Sequence, residues 1–69
     1  MEEDLIEKYK RMLDDGFSQN NADFINESMA YLTRNHGQRA VLEVCEKYMK
    51  DLPLAKNIYD HVSMYVSEN

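Results

Sequence analysis

A chain of 69 residues is long enough for one small domain, expected here to be helical and to run over residues 1–69. Apolar residues make up 43% and charged residues 30%, a globular balance rather than a disordered one, and no apolar run approaches the roughly 20 residues that span a bilayer. The formal net charge of −5 argues against a general affinity for nucleic-acid backbones or anionic membrane surfaces, both of which attract Lys and Arg.

The first helical segment is expected from about Glu3 to Asp15, where Leu5, Ile6, Tyr9, Met12 and Leu13 recur at helical spacing. Asp4–Lys8 and Glu7–Arg11 form i,i+4 pairs on its wet side, and Gly16 follows as the expected left-handed stop. Ser18-Gln19-Asn20-Asn21 is a polar turn rich in N-cap candidates, with Asp23 three residues after Asn20 in a capping arrangement. A second helix then runs from about Asn21 to Asn35 on a stripe of Ala22, Ile25, Met29 and Leu32, and Gly37 ends it.

Helix three is expected over Gln38–Lys50, with Val41, Val44, Cys45, Tyr48 and Leu52 in the narrowest apolar arc of the chain. Pro53 has no amide hydrogen to lose in a first turn, so it suits the opening of a fourth helix. Leu54, Ala55, Ile58, Val62 and Tyr65 carry that helix to about Val66. Short connections favour antiparallel neighbours, giving an all-α, small antiparallel bundle of four short helices. A three-helix core with one peripheral helix is the alternative.

Chemistry-bearing residues are sparse. Cys45 is the only thiol, so no disulfide closes within the chain, and its place in an apolar stripe shields it from reaction. His36 and His61 stand apart, without the His-x3-His or Cys-x2-Cys spacing that zinc requires. Carboxylate neighbours such as Asp14-Asp15 fall in polar runs at helix ends, where nothing separates their pKa values for acid–base work. Two isolated glycines cannot build a phosphate loop. Catalysis, a cofactor, a metal and a small-molecule substrate are therefore not expected. The acidic start Met1-Glu2-Glu3-Asp4 is unlike a secretory or transit peptide, so a cytoplasmic setting is expected.

Large side chains outside the main stripes point to protein contact. Helix two carries Phe24 and Tyr31 at i and i+7, and helix three carries Leu42 and Met49. In a hairpin of those two helices both rows turn to the same side, so one must meet another helix, a partner or water. Tyr59 and Met64 on helix four extend the theme, and Tyr and Met are enriched at protein interfaces. The expected function is a non-enzymatic interaction module, a small regulator, inhibitor or adaptor that docks helical faces on a protein partner. The alternatives are a nucleic-acid-associated regulator using the basic turn of Arg34, His36 and Arg39, or a subunit that assembles with itself. Glu43 and Glu46 on the following helix count against the nucleic-acid alternative.

Overall fold

The computed structural model describes residues 4–67, and these form α1 (Leu5–Ser18), α2 (Ala22–Arg34), α3 (Gln38–Tyr48) and α4 (Pro53–Ser67). No strand occurs among the described residues, so the all-α reading holds. The expected helix start at Glu3 lies outside the described residues. Asp4 caps α1 instead, its carboxylate accepting the Ile6 amide at 2.9 Å. Asn21, not Asn20, caps α2, with Oδ1 accepting the Phe24 amide at 3.2 Å.

The two glycines do work that the sequence reading did not assign to them. α1 continues past Gly16 to Ser18, and neither glycine has a positive φ. The left-handed residues are Asn20 (φ 54°) and His36 (φ 62°), one turn-closing residue after each of the first two helices. Around Asn20, the Asn21 amide reaches back to the Gly16 carbonyl at 2.8 Å and the Asn20 amide to the Phe17 carbonyl at 3.3 Å. That pair of bonds is a Schellman closure, which satisfies carbonyls the helix would otherwise leave open. After α2 the Gly37 amide repeats the long bond to the Leu32 carbonyl at 2.6 Å, placing His36 where glycine is usually found. Replacing His36 by glycine should therefore stabilise the fold by about 1 kcal/mol, since a left-handed side chain costs roughly 1–2 kcal/mol and glycine returns part of that as chain entropy. A higher urea midpoint with an unchanged slope is the expected result.

α3 stops at Tyr48, short of the expected Lys50. The Asp51 and Leu52 amides both turn back to the Tyr48 carbonyl, at 3.1 and 2.8 Å, and Pro53 then starts α4. A residue before proline avoids helical backbone, so the break falls where the Asp51-Leu52-Pro53 run demands it.

α1 packs most extensively on α2, and α3 on α4, making two helical hairpins. The hairpins meet mainly along α1 and α3. Lys10 Nζ reaches the Glu43 carboxylate at 2.5 Å, and Asp14, one turn on, pairs with Lys47, one turn on from Glu43. Matching steps along both helices mean that α1 and α3 run parallel, side by side. In a closed up-and-down bundle those two would stand on a diagonal. Here they form the centre, and α2 and α4 scarcely meet. The molecule is accordingly flat, with extents of 35 × 32 × 17 Å.

The core takes Leu13 and Phe17 from α1, Ile25 and Leu32 from α2, Val41, Val44 and Cys45 from α3, and Ala55 and Val62 from α4. With two of its residues in the core, α4 is not peripheral. Stripe members at helix ends fare differently: Leu5, Ala22, Leu54 and Tyr65 are exposed. Ser28 is the buried polar exception, and its hydroxyl donates to the carbonyls of Phe24 and Ile25 at 2.6 and 3.1 Å. A polar group satisfied in this way adds no penalty to burial.

The Asp14 cluster gives the α1–α3 contact a pH dependence. Partial burial alone would push the Asp14 carboxyl up, but hydrogen bonds from Lys47 and the Tyr48 hydroxyl, with the Lys47 charge, outweigh it and hold the carboxyl below its ordinary value. A carboxyl lowered by folding contributes stability that is complete above the unfolded value, about 4, and is lost as pH falls through the lower folded value. Urea midpoints measured from neutral pH downward should therefore drop in acid, and Asp14→Asn should remove part of that acid loss while lowering the neutral midpoint.

Candidate functional site

Because α1 and α3 fill the centre, the splayed α2 and α4 leave a groove between them. It holds about 300 Å³ and is lined by Met29 and Thr33 of α2, His61, Val62 and Tyr65 of α4, and Gln38 at the start of α3. A second recess of about 380 Å³, lined by His36, Gln38, Arg39, Tyr65 and Val66, shares Gln38 and Tyr65 with the first. The two adjoin at those residues, and Tyr65 of α4, which lines both, is 59% exposed.

Local structure positions each wall. Thr33 donates its hydroxyl to the Met29 carbonyl at 2.8 Å, and Gln38 Nε2 donates to the Thr33 carbonyl at 3.2 Å. Gln38 thereby ties the end of α2 to the start of α3 and fixes the tight turn between them. On the facing helix the His61 ring meets Tyr65 edge-on, with centroids 5.5 Å apart, one turn away along α4. Lys56 and Asp60 pair with each other at 2.8 Å on the same helix.

The candidate contact residues separate into two groups. Tyr31 is half-buried and stacks on Tyr9 of α1, with centroids 4.2 Å apart and planes within 14°. Phe24 is half-buried beside Gly16 of α1. The sequence argument that one lateral row lacks a neighbour assumed that α2 and α3 form the main hairpin. With α2 paired to α1, the Phe24 and Tyr31 row already has its opposite number. Leu42, Met49 and Tyr59 are also half-buried and pack against the core. Met64 alone of the six is mostly exposed. The basic residues Arg34, His36 and Arg39 are all exposed on one turn, and His36 and Arg39 line the second recess.

Tyr65, expected in the core stripe of α4, lines both recesses, and Met29 and Thr33, for which no contact role was expected, line the groove. Tyr65 does follow the α4 apolar period, but the period continues beyond the point where a neighbouring helix covers it. Elsewhere the polar clusters are structural. Glu7, Lys10, Arg11 and Asp14 line a shallow recess on α1, where Lys10 and Asp14 are joined to α3. Among the described residues no three His, Cys, Asp or Glu side chains converge as metal ligands would. Cys45 is fully buried, and burial pushes its thiol up to about 11, away from the thiolate that reacts.

No protein-family model matches the chain, and neither a curated protein nor a solved structure does.

Proposed function

We propose that this chain is a non-enzymatic docking module, a small regulator or adaptor that binds a protein partner in the groove between α2 and α4. The observation that carries the reading is the groove itself: a recess between two helices, lined by Met29, Val62 and a tyrosine, Tyr65, more than half exposed. Grooves of this kind accept an amphipathic segment whose apolar side chains fill the gap between helices. Burying apolar side chains contributes roughly 1.5–3 kcal/mol each, so two or three anchors support a specific contact. No helix among the described residues is long and apolar enough to cross a membrane. A cytoplasmic location is part of the same proposal.

Affinity capture from the cytoplasm of the source cells, read by mass spectrometry, tests the assignment. Wild type should retain a defined protein that a Tyr65→Glu variant loses. Leu54→Ser, another exposed apolar position at the opposite end of α4, should retain it. Equal capture by both variants would remove the groove as the docking surface.

A further inference from the structure

The two recesses differ in charge from the rest of the molecule. Among the described residues none that lines them is acidic, although the chain holds 13 Asp and Glu against eight Lys and Arg. From Ser28 to Leu42 the sequence carries Arg34, His36 and Arg39 and no acid at all. Among the described residues no carboxylate pairs with Arg34 or Arg39, whereas Lys10, Lys47 and Lys56 are each held in ion pairs. Gly37 offers α3 no side-chain cap, so the positive end of that helix adds to the same field. The recess on α1, by contrast, mixes Glu7 and Asp14 with Lys10 and Arg11.

We infer that the partner presents an acidic amphipathic segment, apolar on the side that enters between α2 and α4 and carboxylate-bearing where it passes Arg39 and the α2–α3 turn. The inference rests on the docking reading above and names the chemistry of its occupant. Opposed potentials of this kind fix orientation and exclude wrong partners. A peptide is favoured over nucleic acid because Met29, Val62, Tyr65 and Val66 supply an apolar wall, which apolar side chains fill and a phosphate backbone does not.

Panning random peptides of roughly 15 residues, about four helical turns, on the intact chain tests it. Recovered sequences should be rich in Asp and Glu, interleaved with apolar residues at helical spacing. A synthetic copy of the commonest one should lose about tenfold in affinity on Arg39→Glu, a change of about 1.4 kcal/mol, and should weaken with added salt. Arg39 is exposed in the first turn of α3, where a glutamate suits the helix end, so the variant keeps the fold and a thermal melt verifies this. Recovery of basic or uncharged apolar peptides would overturn the acidic assignment while leaving the docking reading in place. Failure to enrich anything over a Tyr65→Glu control would overturn both. A random single-stranded oligonucleotide that outcompetes the peptides, and is itself weakened by Arg39→Glu, would transfer the site to nucleic acid.

Discussion

Leu32→Ala is expected to cost about 2–5 kcal/mol, the range for truncating a fully enclosed leucine in a core that relaxes only in part. Leu32 has no exposed surface and stands where α2 ends, with its carbonyl holding the Gly37 amide. A 69-residue domain commands total stability of about 3–10 kcal/mol, so this one change removes a large share of it or unfolds the chain. Urea melts followed by circular dichroism measure the loss. A companion substitution identifies the cause. A Cβ added to Gly37 would fall 2.7 Å from Leu32 Cδ2, so Gly37→Ala should destabilise the wild type. It should destabilise Leu32→Ala less, because the obstructing methyl is then gone. The relief is incomplete, since the Leu32 carbonyl and Cα remain 3.0 and 3.1 Å away.

Gly16→Leu should cost about 3 kcal/mol, the upper part of the usual range for forcing extra volume into a packed contact. Leucine is the better helix former by close to 1 kcal/mol, so any loss reports packing and not propensity. A Cβ at Gly16 would meet Ile25 Cγ1 at 2.8 Å, the Ile25 amide nitrogen at 3.0 Å and Phe24 Cβ at 3.2 Å. Backbone cannot step aside as a side-chain tip can, so α2 must move bodily away from α1. That displacement would pull Tyr31 from its stack on Tyr9. Near-ultraviolet circular dichroism, sensitive to the tyrosine environment, should change together with a lowered urea midpoint. A variant with wild-type stability would show that the hairpin does not need a glycine there.

These two positions mark where the sequence is readable and where it is not. Helical periods located all four helices, since Leu13, Ile25, Leu32, Val41, Val44 and Val62 keep the 3.6-residue spacing and are all buried. Helix ends were harder. Gly16 followed a helical stripe and resembled a stop signal, but a glycine that ends a helix and one that admits a neighbouring backbone look alike until the neighbour is known. Asn20 was available for the left-handed position by its chemistry, because Asn tolerates that backbone; His36 carried no such signal.

The groove could not have been read from periodicity. It exists because α1 and α3 pack in parallel, leaving α2 and α4 on the same side without closing on each other. That arrangement depends on long-range contacts such as Lys10–Glu43 and Asp14–Lys47, whose partners lie more than 30 residues apart in the chain. Helical spacing within each segment carries no information about them. The basic turn of Arg34, His36 and Arg39 was visible as composition, but its position at the mouth of an apolar recess is a property of the fold.

The central claim is that the groove, and not the packed lateral rows or the α1 surface, receives the partner. The most direct measurement is two-dimensional NMR of the isotopically labelled chain, titrated with the captured protein or the selected peptide. Shifts should concentrate on the amides of Met29, Thr33, Gln38, Arg39, His61 and Tyr65, with Leu5 and Lys8 unmoved. Shifts centred on the exposed face of α1, with the groove amides in place, would contradict the account.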